Sequence, residues 1–175
     1  LAKKSASEIL NTYAEDELAR IFKIYGELDR SKKVASLICS ARRNRPIEST
    51  FKLNEVVKSI LPPAGEHKVL AKIYQALRIE VNGEMESLER FLESAYRALK
   101  PGGILSIITY HSLEDRMVKN FFRCGNVEGK EDKDLFGRRS TPFELITRKP
   151  ILPTEEEISN NTRARSAKLR VAKKL

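Results

Sequence analysis

The residues best suited to chemistry lie together at positions 109–112, where the sequence reads Thr-Tyr-His-Ser. His111 stands out, because a neutral imidazole can orient a polar group of a ligand and can help to move a proton near neutral pH. The alternative role for His111 is a hydrogen bond to neighbouring backbone at the end of a strand. Ser112 is followed three residues later by Asp115, and this S-x-x-D pattern predicts that Ser112 caps a helix.

A buried strand is predicted to position these residues. Gly102 and Gly103 permit a turn, and residues 104–109, ILSIIT, give the nearly continuous apolar run of a parallel strand that is covered on both faces. In an open α/β sheet, ligands bind at the carboxyl ends of the strands, where helix N-termini point. The sequence therefore predicts a strand that leads into His111, a helix over 112–122 and a candidate active site at their junction.

Helical patterns fill the chain before this strand. A T-x-x-E capping box at Thr12 and Glu15 precedes an amphipathic helix that stops near Gly26. Further helices are predicted over 30–44, from Ser49 or Thr50 to the prolines at 62 and 63, and over 67–99, where Asn82-Gly83 either kinks or divides the pattern.

The pattern after residue 122 is typical of loops and strands. Residues 123–140 carry many charges without a period, which predicts a mobile surface loop. Residues 142–149 and 166–173 are predicted strands that pair antiparallel, and a helical turn is expected at Thr154–Glu157. A parallel-type strand at 104–109 needs further neighbours, which must come either from another copy of the chain, by dimerisation or strand exchange, or from sequence upstream of Leu1.

The formal net charge of +9 is concentrated in two segments and favours a polyanionic partner. Residues 30–45 hold six basic side chains, residues 161–175 hold another six, and neither segment has an acidic residue. Candidate phosphate contacts are therefore the arginines Arg42, Arg43, Arg163 and Arg165. The alternative for both segments is a solvated surface, with edge-strand lysines that deter aggregation.

Composition excludes several classes of protein. No run of 18 apolar residues could span a membrane, and the first ten residues, LAKKSASEIL, lack the hydrophobic segment of a signal peptide. Cys39 and Cys124 are isolated thiols, which fits a reducing cytoplasm, and Cys39 is expected to pack in a core. No metal site is expected, because only His67 and His111 could join the cysteines.

Three segments carry a resemblance to a known family: YQALRIEVNGEMESLERFL (74–92), PGGILSIITYHSLEDRMVKNFF (101–122) and NTRARSAKLRVA (161–172). They resemble the MraW family of bacterial ribosomal RNA methyltransferases, and residues 15–47 resemble the helical insertion of that family. The usual strand-end motif of the family is Ser-Phe-His-Ser-Leu-Glu-Asp, in which Thr109 and Tyr110 here replace the first two residues. Thr162 replaces a proline that normally precedes Arg-Ala-Arg-Ser.

The resemblance implies an α/β fold, namely the carboxy-terminal part of a doubly wound S-adenosylmethionine-dependent methyltransferase sheet with an inserted helical domain. Residues 1–66 would be the insertion, and residues 67–175 would be the carboxy-terminal part of the methyltransferase domain. The implied activity is N4-methylation of a cytidine in the 16S rRNA of the small ribosomal subunit, in the cytoplasm. No G-x-G-x-G cofactor loop occurs in this chain, so S-adenosylmethionine is expected to bind a missing amino-terminal part, and the chain alone is expected to be inactive.

Residue type and position suggest roles for individual residues. His111 is expected to position the substrate. Arg78 and Asn82 lie one helical turn apart and are expected to bind substrate together with Ser112 and the four arginines named above. The alternative for Arg78 and Asn82 is a buried hydrogen-bond pair that joins the helix to the sheet.

A non-enzymatic helical RNA-binding or adaptor module is the alternative function. It accounts for the charge and the helices, but it leaves the strand that leads into His111 unexplained. A strand and a Gly-rich loop encoded upstream of Leu1 would favour the enzyme, whereas a start codon at that point would favour the module.

Overall fold

The computed structural model describes residues 4–131 and 141–175. The chain forms two compact units, Leu1–Glu84 and Met85–Leu175. The first unit is helical, and the second combines helices with a small sheet. The chain therefore has the mixed α/β character that the sequence predicts.

Five α-helices build the described part of the amino-terminal unit. They are α1 (Ala6–Thr12), α2 (Glu15–Ile24), α3 (Ser31–Asn44), α4 (Thr50–Val57), which continues into a 3-10 turn (Lys58–Ile60), and α5 (Glu66–Asn82). Their apolar faces pack into one core, in which Phe22, Ile38 and Ile73 are fully buried. Cys39 is a buried member of this core, which confirms its predicted packing role.

The start of α2 differs from the prediction. Thr12 is the last residue of α1, and its Oγ1 donates a hydrogen bond to the Glu8 carbonyl at 2.7 Å. Helix α2 follows Ala14, whose backbone N–H donates to the Glu17 carboxylate at 2.8 Å. The capping box predicted at Thr12 and Glu15 is therefore wrong, because the preceding helix already uses the Thr12 side chain.

Helix α5 belongs to the helical core. Its buried residues pack with those of α1 and α2. The helix ends at Asn82, because Gly83 adopts a left-handed φ of 58°, a conformation that favours glycine. Asn82-Gly83 thus divides the pattern predicted over 67–99, and the compact units separate after Glu84.

Gly26 gives a test of this packing. A Cβ at this position would lie 2.7 Å from the Phe22 carbonyl oxygen and 2.9 Å from the Lys72 carbonyl oxygen, and neither backbone atom can move cheaply. We expect Gly26→Ala to lower the free energy of unfolding of the helical unit by about 1–3 kcal/mol, measured by urea denaturation. The exposed Lys23→Ala is the control and should change it by less than about 0.5 kcal/mol. Equal stabilities of the two variants would contradict the close approach of α2 and α5.

The carboxy-terminal unit contains an antiparallel sheet. Its elements are α6 (Glu84–Ala98), β1 (Ile104–Thr109), α7 (Ser112–Cys124), β2 (Phe143–Leu145), α8 (Glu155–Asn160), a 3-10 turn (Thr162–Ser166) and β3 (Lys168–Lys174). The strand order is β1-β3-β2. Antiparallel pairing of β2 with β3 confirms the prediction for the last two strands. Of the predicted mobile loop, residues 132–140 lie outside the described residues.

One face of the sheet packs against α6 and α7. Phe143 on β2 is buried among aromatic rings, with centroids 5.2 Å from Phe122 and 5.4 Å from Tyr96. Lys174 closes the end of α6, because its Nζ donates to the carbonyls of Tyr96 and Leu99 at 2.7 and 2.8 Å. These contacts hold β1 and α7 in place.

Strand β1 is not covered on both faces by the described residues, in contrast to the prediction. Leu105, Ile107 and Thr109 are buried, whereas Ile104 and Ile108 are 50% and 55% exposed. Its partner is the antiparallel β3, and in the described residues no strand pairs with its other edge. The apolar side chains on both faces of β1 therefore indicate that its second face, with Ile104 and Ile108, is left open by the described elements.

Candidate functional site

The junction of β1 and α7 is built around His111 and Glu114. His111 is the N-cap of α7, and its Nδ1 accepts a hydrogen bond from the Glu114 backbone N–H at 3.3 Å. In return, the Glu114 carboxylate accepts from the backbone N–H groups of Tyr110, at 2.8 Å, and His111, at 3.3 Å. This reciprocal arrangement is a capping box, one residue earlier than the predicted pair.

Ser112 and Asp115 do not form the predicted capping box. Ser112 is the first residue of α7 and is exposed. Asp115 instead receives two hydrogen bonds from Arg170 on β3, from Nε at 2.6 Å and from Nη2 at 3.1 Å. Lys168 adds a third cationic contact, with Nζ 3.5 Å from Oδ2 of Asp115. Arg170, which belongs to the basic carboxy-terminal segment, is thus buried in an ion pair that joins α7 to β3.

The ion pair also sets the charge of Asp115. Burial alone would raise the pKa of this carboxyl, but the hydrogen bonds and positive charge of Arg170, together with Lys168, outweigh burial and hold the pKa below its usual range. Asp115 is therefore an anion in the neutral pH range, and its charge is balanced within the unit.

The geometry of His111 restricts its chemistry. The side chain is only 12% exposed, and its Nε2 lies 3.4 Å from Oε1 of Glu114. Because Nδ1 accepts the helix N–H, the single proton of the neutral ring is on Nε2. A ring in this tautomer can donate a hydrogen bond but cannot take a proton at Nε2. The arrangement therefore argues against a general-base role for Nε2.

The capping box predicts different effects for two neighbouring substitutions. We expect Glu114→Ala to lower the free energy of unfolding by about 1 kcal/mol, because two backbone N–H groups at the start of α7 lose their acceptor. Ser112→Ala is the matched control and should stay within about 0.5 kcal/mol of the unmodified chain. Urea denaturation measures both, and a larger effect of Ser112→Ala would restore the original S-x-x-D prediction.

Sheet register brings Arg163 and Arg165 to the same end as His111. Both arginines are exposed in the 3-10 turn that precedes β3. Lys168, the first residue of β3, pairs with Thr109, the last residue of β1. The strand end therefore gathers four of the predicted site residues, namely His111, Ser112, Arg163 and Arg165.

Comparison of the sequence with known proteins assigns the chain to a family. The model of the MraW methylase family matches residues 1–175. The chain belongs to the MraW methylase family. It is 55% identical over 170 residues to a ribosomal RNA small subunit methyltransferase H of Bacteroides fragilis, which covers 97% of this chain and 56% of that protein. Proteins of the same name from Bacteroides thetaiotaomicron and Flavobacterium johnsoniae are 54% and 50% identical, over 97% and 98% of this chain and 56% of their own length. The chain thus spans little more than half the length of these family members.

In the helical unit, Arg78 and Asn82 donate hydrogen bonds to the same carboxylate. Arg78 donates to both oxygens of the Glu84 carboxylate, at 2.9 and 3.1 Å, and Asn82 donates to Oε1 of the same carboxylate at 2.9 Å. The two side chains therefore share the Glu84 carboxylate, an acceptor that the spacing of Arg78 and Asn82 does not predict. They also line a cavity of about 340 Å³ with an apolar wall that includes Leu53 and Leu77.

The two predicted arginines of α3 have different environments. Arg42 donates from Nη1 to the Leu10 carbonyl at 2.8 Å, and so it ties α3 to the end of α1. Arg43 is exposed. Of this pair, Arg43 is the more accessible to solvent and to a polyanion.

Residues 4–131 and 141–175 offer neither a metal-binding cluster nor a membrane-spanning helix. No group of three or more His, Cys, Asp or Glu side chains there could hold a metal ion. None of the described helices combines the length and apolar character needed to cross a bilayer.

Proposed function

We propose that the chain is the carboxy-terminal portion of an S-adenosylmethionine-dependent methyltransferase that modifies N4 of a cytidine in 16S rRNA, in the cytoplasm. Membership of the MraW methylase family supports this activity, as do relatives whose names describe a methyltransferase of small-subunit ribosomal RNA. The helical unit would be the insertion that holds RNA, and the sheet unit would supply one wall of the active site.

The observation that carries the proposal is the half-covered sheet. Its open face presents large apolar side chains that are at least half exposed, namely Ile104 and Ile108 of β1 and Ile151, which pairs with Leu169 of β3. A solvated apolar face of this kind marks a surface that another element covers. A doubly wound sheet has helices on both faces and further strands at its edge, so the amino-terminal part of the enzyme would cover this face and pair with the free edge of β1. Strand exchange between two copies would also occupy that edge, but nothing in the described residues favours it.

S-adenosylmethionine is the methyl donor that the family implies, and the sequence contains no G-x-G-x-G loop of the kind that holds it. The adjacent glycines, Gly102 and Gly103, precede β1 and so lie at the end of the strand opposite to His111. Strand β1 is not followed by a glycine turn of the kind that lets the backbone approach a nucleotide closely. We assign the cofactor site to the amino-terminal part, and this chain supplies the groups around it.

Within the proposed site, His111 would orient the reacting cytosine through Nε2–H. Ser112, Arg163 and Arg165 would bind the surrounding RNA at the strand end. Arg42, Arg43, Arg78 and Asn82 would extend the contact along the helical unit. Positioning is the main contribution expected of such groups, because holding the reactants in the correct orientation removes a large part of the activation barrier.

The cofactor assignment makes a direct prediction for the 175-residue chain. We expect isothermal calorimetry with S-adenosylmethionine to detect no binding to this chain, because the glycine-rich loop that holds the cofactor is assigned elsewhere. The full-length protein, measured alongside, should bind it. Micromolar affinity of the isolated chain would contradict the assignment.

The activity itself is tested with the full-length protein and small ribosomal subunits that lack the modification. Methyl transfer from S-adenosylmethionine is followed, and the RNA is then digested for mass spectrometry of its nucleosides. The proposal expects N4-methylcytidine. A product methylated at carbon 5 would reject the assigned chemistry, and absence of any transfer would favour the non-enzymatic RNA-binding module.

A further inference from the structure

Tyr110 has an unusual combination of a fixed backbone and a free ring. It follows β1 directly and precedes His111. Its backbone N–H donates to the Glu114 carboxylate at 2.8 Å, so its main chain is held by the capping box. Its side chain is nevertheless 56% exposed. The chain therefore holds an aromatic ring in solvent at the tip of the strand that ends the candidate site.

The other tyrosines show that this exposure is specific to Tyr110. The chain has five tyrosines. Four of them pack against one of the two apolar cores, namely Tyr13, Tyr25, Tyr74 and Tyr96. The Tyr110 ring belongs to neither core of the described residues. Burial in this chain does not explain an aromatic residue at position 110.

Besides the Glu114 carboxylate, which accepts its backbone N–H, several basic side chains lie at the strand end that carries Tyr110. Thr109 pairs with Lys168 across the sheet, and the exposed Arg163 and Arg165 lie in the turn just before that strand. Asp115, the nearby carboxylate of α7, is balanced by Arg170 and Lys168. An exposed ring near exposed arginines is a combination with which proteins bind single-stranded nucleic acid, since the ring stacks on a base and the cations neutralise phosphates.

We propose that Tyr110 stacks on an unpaired pyrimidine base of the RNA substrate, with Arg163 and Arg165 on the adjoining phosphates. This inference rests on the proposed function, because it specifies how the same strand end holds its RNA. It adds a substrate-binding residue to the site. The hydroxyl is dispensable in this role, whereas the flat aromatic face is essential.

Substitutions at position 110 in the full-length protein separate stacking from packing. We expect Tyr110→Phe to retain methyl transfer to unmodified small subunits within about threefold, because the aromatic face remains. Tyr110→Leu and Tyr110→Ala should raise the KM for the RNA by about 5- to 150-fold, the range found when a stacking residue is removed. The KM for S-adenosylmethionine should not change. If Tyr110→Leu is as active as Tyr110→Phe, the ring packs under another part of the protein. If the KM for S-adenosylmethionine rises instead, the ring contacts the cofactor. Either result overturns the proposal.

A binding measurement tests stacking independently of catalysis. The 175-residue chain contains no tryptophan, so Tyr110→Trp introduces a new fluorophore. Its signal is obtained by subtracting the fluorescence of the unmodified full-length protein. Oligocytidylate should quench this fluorescence, and an abasic oligomer with the same number of phosphates should quench it at least fivefold less. Equal quenching by both oligomers would mean that only phosphates are bound and would overturn the proposal. Quenching by oligocytidylate without methyl transfer by the unmodified protein would reject the proposed activity while supporting stacking.

Discussion

Replacing Asp115 with alanine is expected to destabilise the carboxy-terminal unit by about 3–5 kcal/mol, because it leaves the Arg170 guanidinium buried without its partner. Arg170 is 8% exposed, and both of its hydrogen bonds to side chains go to this carboxylate. The pair also joins α7 to β3 across 55 residues of sequence. Urea denaturation, followed by a probe in the sheet unit, measures the loss.

A double substitution supplies the control. Asp115→Ala combined with Arg170→Met removes both charges and should be more stable than Asp115→Ala alone. Lys168→Met should cost less than about 1 kcal/mol, since its contact with Asp115 is longer and more exposed. If the double variant is no more stable than the single one, the buried charge is not the source of the loss.

The same pair predicts the direction of an acid effect. The pKa of Asp115 is below its usual range in the folded chain, whereas the pKa of an aspartate in an unfolded chain is about 3.9. The stabilising contribution is therefore fully present above about pH 4 and is lost as the pH falls through the folded pKa. Asp115→Asn should flatten the dependence of stability on pH below about pH 4, and an unchanged acid profile would contradict the ion pair.

Substituting His111 is expected to have the largest effect on activity. In the full-length protein, His111→Ala removes both the helix cap and the Nε2–H group, and we expect a loss of about 100-fold in kcat for methyl transfer. His111→Asn is the informative variant, because the amide oxygen can accept the Glu114 N–H and preserve the cap. It should keep the stability of the unmodified protein and still lose most of the activity.

The two roles considered for His111 give opposite results with this variant. An orienting role requires that His111→Asn be nearly as inactive as His111→Ala. A purely structural role requires that His111→Asn restore activity along with stability. Denaturation and single-turnover rates measured on the same preparations decide between them.

Local patterns in the sequence were sufficient to place most elements. The helix predicted over 30–44 corresponds to α3, Ser31–Asn44, because apolar periodicity and the proline at 46 define both ends. The helical turn predicted at Thr154–Glu157 forms the start of α8, with Thr154 as its cap. Signals of this kind act over three to seven residues, and they are readable without knowledge of tertiary contacts.

The errors arise where local patterns overlap or where contacts are distant. An S-x-x-D pattern and an H-x-x-E pattern overlap at 111–115, and the sequence does not reveal which residue takes the extended N-cap conformation. The partner of Asp115 is Arg170, whose approach depends on the register of β1 and β3. The exposed ring of Tyr110 was equally unpredictable, because exposure depends on which elements cover the strand end.

The strand order β1-β3-β2 has a consequence for synthesis on the ribosome. The central strand of this sheet is the last of the three to be translated, and it provides the antiparallel pairing of both others. A nascent chain that has emerged only as far as β2 holds two strands that cannot pair with each other in their native places. Chaperone protection should therefore matter most in the interval before β3 leaves the exit tunnel, since unpaired apolar strands are the segments most prone to aggregate.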